Sequence, residues 1–131
     1  MPHAIVHYSK EFDNNQINSI VDVLHEAILA TGTFPEGGLR VRTFLCDSLK
    51  IDEAQGASGF LHMEFKIGHG RSPDDLKKAG ELIFDSLKAE VAGLNLAKQA
   101  LLSLEFIELH ETLNFKKNNL RSYMADRKKN N

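Results

Sequence analysis

The chain has 131 residues, a formal net charge of −2 and a hydrophobic fraction of 42%, a composition typical of one globular domain. The near-neutral charge gives no general attraction to nucleic acid, and the basic residues near the C-terminus lack interleaved aromatic residues. Without a basic-then-apolar leader or a long apolar span, we predict neither secretion nor membrane insertion. The single Cys46 can form no intramolecular disulfide, which favours a reducing, cytoplasmic compartment.

The first half of the chain has the pattern of a β-α-β unit. Residues 4–8 are β-branched and aromatic and predict a strand. Asp13 suits the N-cap of a helix over 14–30, whose apolar residues recur at helical spacing. Gly32 stands where a left-handed C-terminal cap belongs. Alternation over 39–46 then predicts a second strand.

The same pattern returns after a polar, Gly-containing segment at 47–58, which predicts a connection between two halves. Residues 59–67 predict a strand. Ser72 followed by Pro73 is typical of a helix start, and that helix is predicted to run to about residue 91. Residues 100–109 predict the last long strand.

Two successive β-α-β units predict an α/β (α+β) two-layer sandwich. The tandem repeats, at about 2–47 and 59–110, supply one four-stranded mixed sheet with two helices on one face. A single domain over 1–120 is therefore expected, followed by a polar, basic tail at 121–131 that frays at its end. The other face of the sheet is left bare, which predicts packing against partner chains.

Pro2 directly follows the initiator Met1, and methionine is usually trimmed before a residue this small. Trimming leaves a free amine, and an ordinary α-amino group titrates at roughly 7.7–8.0. Burial and nearby cations would lower the pKa of the amine further, because both disfavour its charged form. Pro2 is therefore a candidate general base, although a proline at position two is by itself more often accidental than catalytic.

Three arginines are candidates for binding an anion. Arg40 and Arg42 share one strand face, and Arg71 lies in a Gly-rich strand-to-helix turn whose backbone amides favour negative charge. Arginine suits bidentate recognition of carboxylates, but solvated or ion-paired arginines are commoner. His62 and Glu64 alternate on one strand without a third ligand, so no metal site is predicted.

A set of motifs runs along most of the chain: Pro2-His3-x-Ile5-Val6, Ala30-Thr31-Gly32-x-Phe34-Pro35, Gly38-x-Arg40-x-Arg42, His62-Met63-x-x-Lys66-Ile67-Gly68-x-Gly70-Arg71-Ser72, Ala79-Gly80-Glu81 and Glu108-Leu109-His110-x-Thr112-Leu113-Asn114-Phe115-Lys116-x-Asn118-Asn119. From Pro2 to about Leu120 the chain thereby resembles the 5-carboxymethyl-2-hydroxymuconate isomerase family of the tautomerase superfamily. The last motif is the most specific. The family pattern leads us to expect an acidic residue at position 7, and His7 departs from it.

The resemblance implies a homotrimer whose sheets surround a central axis, with no cofactor and no metal. It implies an isomerase that converts 5-carboxymethyl-2-hydroxymuconate to its 2-oxo-3-ene isomer in homoprotocatechuate (4-hydroxyphenylacetate) degradation. Pro2 would be the general base, while Arg40 and Arg71 would stabilise the dienolate and hold carboxylates. Arg42 would be a further binding residue, and Phe115 would either wall the pocket or pack in the trimer.

Two alternatives stay open on the sequence. A protein of the same fold could act on another 2-hydroxymuconate or a related unsaturated acid. It could also be a non-catalytic trimeric protein that binds carboxylates. Fold membership does not choose among these, because one fold hosts many functions.

Overall fold

The computed structural model describes residues 2–51, 58–94, 96 and 99–130. In chain order its elements are β1 (His3–Tyr8), α1 (Asn14–Ala30), β2 (Arg40–Leu45), β3 (Ser58–Ile67), α2 (Pro73–Gly93), β4 (Gln99–Glu108) and α3 (Leu120–Asn130). Met1, and residues 52–57 of the predicted connection between the halves, lie outside the described residues.

The four strands form one mixed sheet in the order β2-β1-β3-β4. β1 pairs with β2 in parallel, and β3 pairs with β4 in parallel. The two units meet at the antiparallel pair of β1 and β3. Each unit is therefore a parallel strand pair joined through a helix, and the predicted four-stranded mixed sheet is confirmed.

The helices begin at the residues that the sequence predicts. The Asp13 carboxylate accepts a hydrogen bond from the Gln16 backbone at 2.8 Å, and the Gln16 side chain accepts one from the Asp13 backbone at 2.9 Å. This capping box satisfies two N–H groups at the start of α1. Ser72 caps α2 with Pro73 in its first turn, and Gly32 has a φ of +70° just beyond α1. Hydrogen bonds and residue types within a few positions of the helix ends thus determine where α1 and α2 begin.

One face of the sheet packs under α1 and α2 and forms the core. Buried side chains alternate along the strands, as in Ala4, Val6 and Tyr8 of β1. Towards one end of the sheet the core becomes aromatic. There the ring of Phe65 lies 4.9 Å from that of Phe34 and 5.5 Å from that of Phe106, between centroids.

Gly80 allows α2 to approach this aromatic cluster closely. A Cβ at this position would lie 2.8 Å from Cε2 of Phe106. We expect Gly80→Ala to destabilise the fold by about 1 kcal/mol in denaturant unfolding, because overpacking costs about 1–3 kcal/mol and better helix propensity returns about 1. Gly93→Ala is the matched control, since its Cβ meets nothing within 4 Å. Equal stability of the two variants would contradict the steric explanation.

The segment predicted as a polar, basic tail with a frayed end lies, up to residue 130, in α3, which contacts the turn after Phe34. Nε of Arg121 donates to the Gly37 carbonyl at 3.3 Å, and Nζ of Lys128 lies 3.1 Å from the Glu36 carboxylate. The helix has no buried residue, so no apolar periodicity marked it in the sequence. Among the described residues, no helix has the length and apolarity needed to cross a membrane.

Candidate active site

A cavity of about 340 Å³ opens at the end of the sheet where β1 begins. Its volume falls within the range of about 300–1,000 Å³ that is usual for small-molecule sites. The residues that matter for its chemistry come from the N-terminus, the turns after α1 and β3, and the C-terminal segment: Pro2, Phe34, Arg71, His110, Lys116 and Arg121. Pro2 thus shares this cavity with two arginines, one lysine and the Glu111 carboxylate.

Pro2 is buried at the edge of this cavity. Its carbonyl accepts a hydrogen bond from the Arg40 backbone at 3.3 Å, which ties the first residue to the neighbouring strand. Alternation along β1 puts Pro2 on the helix-covered side, together with Ala4 and Val6. Pro2 is therefore held at the edge of the cavity by its bond to β2.

Arg71 is the cation that the structure brings together with Pro2. Its two terminal nitrogens donate to the Gly68 carbonyl at 3.2 Å and the Thr33 carbonyl at 3.4 Å. Its guanidinium carbon lies 4.8 Å from the centre of the Phe34 ring. Two acceptors and an aromatic face fix the group before any ligand arrives, which is the condition for effective electrostatic stabilisation.

Lys116 and Arg121 add two further cations to the lining of the same cavity. Arg121 is positioned by α3 and by the hydrogen bond of its Nε to the Gly37 carbonyl. Neither residue was predicted as a site residue from the sequence. Lys116 belongs to the most specific motif, which was the only available signal, whereas Arg121 falls in the segment predicted as a tail.

Arg40 and Arg42 lie on the opposite face of the sheet. Val41 between them packs on the core, and the arginines contact the ring of His3 instead. Arg40 and Arg42 also line a separate depression of about 660 Å³ along β2, which holds neither Pro2 nor Arg71. Within one chain the structure therefore does not bring them to the cavity.

The His3 ring joins the two arginines of β2. Its Nε2 lies 2.9 Å from a terminal nitrogen of Arg40, and its Nδ1 lies 3.1 Å from one of Arg42. Burial, followed by the charges of Arg40 and Arg42, lowers the pKa of His3 below its ordinary value of 6.5. The neutral imidazole is thus the favoured form in the folded chain.

This shift predicts a pH dependence of stability. The unfolded chain takes up a proton at His3 at higher pH than the folded chain does, so the stabilisation is complete above pH 6.5 and is lost as pH falls through the folded pKa. Between about pH 7.5 and pH 5 we expect wild type to lose more unfolding free energy than His3→Asn. A companion NMR titration should show the His3 pKa rising in Arg42→Met. Titration of wild-type His3 at or above 6.5 would contradict the account.

Phe115 is 88% exposed and does not line the cavity, although its neighbours Asn114 and Lys116 do. Within one chain it neither walls the site nor packs on the core. Its large apolar surface is left for contact with another molecule.

Comparison with known proteins identifies the family. The family model of 5-carboxymethyl-2-hydroxymuconate isomerase matches residues 2–124. The chain belongs to this family. A 5-carboxymethyl-2-hydroxymuconate Delta-isomerase of Escherichia coli is 36% identical over 121 residues, which cover 92% of this chain and 96% of the relative. The family resemblance predicted from the motifs is confirmed, and the matched range includes Pro2, Arg71, Lys116 and Arg121.

Solved structures agree with the isomerase family and its fold. A 5-carboxymethyl-2-hydroxymuconate isomerase from Deinococcus radiodurans R1 is 27% identical, with a TM-score of 0.83 over 94% of this chain and 93% of that one. A structure described as a fused 4-OT wild-type symmetric trimer is 12% identical, with a TM-score of 0.57 over 87% of this chain and 94% of that one. The second likeness concerns the fold alone and confirms the predicted tautomerase-like architecture.

Proposed function

We propose that this protein isomerises 5-carboxymethyl-2-hydroxymuconate to its 2-oxo-3-ene isomer, with the Pro2 nitrogen as general base. The observation that carries the proposal is that buried Pro2 and the fixed Arg71 guanidinium line one cavity in a member of this isomerase family. A base and a preorganised cation are what a proton transfer through an anionic intermediate needs.

The reaction moves one proton. The neutral Pro2 nitrogen takes it from the 2-hydroxyl, the C-2 oxygen becomes a carbonyl as the double bonds shift, and the same nitrogen returns the proton to C-5. Burial of Pro2 and the charge of Arg71 favour the neutral amine, so we expect its pKa to lie below the roughly 7.7–8.0 of an ordinary α-amino group. Removal of Met1 is required, because an acylated nitrogen is not basic.

The cations of the cavity have two roles in the proposed reaction, stabilisation of the intermediate and binding of the substrate carboxylates. Negative charge grows on the C-2 oxygen, and a fixed guanidinium at Arg71 stabilises it more in the transition state than in the ground state. The substrate carries three carboxylates, and Lys116 and Arg121 line the cavity as further partners for them. The trianion thus meets a cavity whose three cations outnumber its one carboxylate, that of Glu111.

The proposed assembly is a homotrimer, in the cytoplasm. Its support is the sheet face opposite α1 and α2, which bears His3, Arg40 and Arg42 and has no covering layer among the described elements. A fold neighbour described as a symmetric trimer adds to that support. Because Arg40, Arg42 and Phe115 lie away from the cavity of their own chain, we propose that they act at the cavity of a neighbouring copy.

An ultraviolet assay combined with the mass of the mature chain tests the function. We expect the mass to lack Met1, rapid ketonisation of 5-carboxymethyl-2-hydroxymuconate, and slower turnover of 2-hydroxymuconate, which lacks the carboxymethyl arm. In heavy water the product should carry deuterium at C-5. Preference for the armless acid would assign another substrate, and binding without deuterium incorporation would identify a carboxylate-binding protein without turnover.

A further inference from the structure

His110 lies just beyond β4, lines the cavity with Pro2, and has one ring nitrogen already occupied. Its Nδ1 accepts a hydrogen bond from the Leu113 backbone N–H at 2.8 Å and another from that of Thr112 at 3.1 Å. The Thr112 hydroxyl lies 3.4 Å from the same nitrogen. The imidazole therefore caps a turn within the most specific motif of the chain.

These contacts select one form of the ring. A neutral imidazole has one donor and one acceptor nitrogen, and backbone N–H groups can only donate. With Nδ1 as the acceptor of two such bonds, the proton of neutral His110 must reside on Nε2. Among the described residues Nε2 has no hydrogen-bond partner, and His110 is an exposed residue in the lining of the cavity, so this N–H is open to a ligand.

We propose that Nε2–H of His110 is a second electrophile of the reaction, donating to the C-2 oxygen as that oxygen becomes charged. This role rests on the proposed function. The carboxylates are better matched by the cations Lys116 and Arg121, whereas a neutral donor gains most at an atom that is uncharged in the substrate and anionic in the intermediate. A neutral imidazole serves in this way in other enzymes that form enolates. Its proton stays on Nε2 throughout, so the step balances without a further acid.

Two substitutions separate the donor from the turn cap. In His110→Asn the amide oxygen can still accept from the backbone of 112 and 113, but no N–H reaches the position of Nε2. In His110→Gln the amide N–H can reach that position, but the cap is lost. We expect His110→Asn to lower kcat about 10²-fold, the usual cost of removing one such donor, with KM changed less than about threefold. His110→Gln should recover part of the loss.

Asp85→Asn provides the control for an introduced amide, because Asp85 is exposed on α2, pairs with Lys88 and lies outside this cavity. It should leave kcat and KM unchanged. A second readout needs no substrate: the ¹⁵N and ¹³C shifts of the His110 ring in the free protein should report the neutral form protonated at Nε2.

The outcomes separate the two proposals. An active wild type with fully active His110→Asn, a rise in KM alone, or a ring protonated at Nδ1 would overturn the role of His110 and leave the isomerase function intact. A wild type that does not isomerise the substrate would overturn the proposed function, and with it the oxygen assigned to His110.

Discussion

Acylating the nitrogen of Pro2 is expected to lower kcat about 10²- to 10⁴-fold, the range that a positioned general base contributes. A lysine inserted between Met1 and Pro2 makes this change, because methionine is retained before a large residue and the proline nitrogen becomes a tertiary amide. The side chain, its place in the cavity and the bond from Arg40 to its carbonyl are otherwise retained. The expected loss therefore reports the non-basic nitrogen together with the effect of the two residues added at the edge of the cavity.

Pro2→Ala tests the geometry of the base instead of its presence. Trimming of Met1 still leaves a free amine, but the ring that fixes the backbone at φ near −65° is gone. We expect a smaller loss in kcat than for the acylated chain, because a misaligned base is still basic and loses only part of the rate gain that correct orientation provides. Pro73→Ala controls for loss of a proline outside the cavity and should keep full activity. Full activity of the acylated chain would mean that the base lies elsewhere.

The fold was predictable because its signals are local. The Asp13 capping box, Ser72 with Pro73 and the left-handed Gly32 mark the ends of helices by hydrogen bonds within a few residues. Helix α3 lacks such signals. It is positioned by contacts of Arg121 with Gly37 and of Lys128 with Glu36, which lie more than eighty residues earlier in the chain. Contacts between residues so far apart produce no periodic pattern in the sequence of the helix.

The site was predictable only in part, since its members meet through tertiary structure. The face of Arg40 relative to Pro2 depends on strand register: His3 pairs with Arg40, so Arg40 shares the face of His3 and not that of Pro2. Alternation within β2 does not contain that information. Lys116, Arg121 and His110 reach the cavity from the far end of the chain, where only the motif resemblance pointed to function.

Arg71→Lys is expected to lower kcat/KM about 10²- to 10³-fold, as for loss of one oxyanion donor. Lysine keeps the charge but is a compact ammonium, which cannot contact two carbonyls and a ring with one planar group. Losing the bonds to Gly68 and Thr33 and the stacking on Phe34 releases the cation from its fixed position. Arg127→Lys is a matched control, because that guanidinium lies over Tyr123 on α3 and outside the cavity.

Arg71→Met removes the positive charge that Arg71→Lys retains, so comparing the two variants separates the effect of the charge from that of its position. Removing a cation near Pro2 should raise the pKa of the amine, because its protonated form is no longer repelled. Since the base must be deprotonated, the acid limb of the kcat/KM profile should move to higher pH in Arg71→Met and stay in place in Arg71→Lys. A limb that moves equally in both variants would indicate a general disturbance of the cavity. A limb unmoved in Arg71→Met would show that this guanidinium stabilises the dienolate without tuning the base.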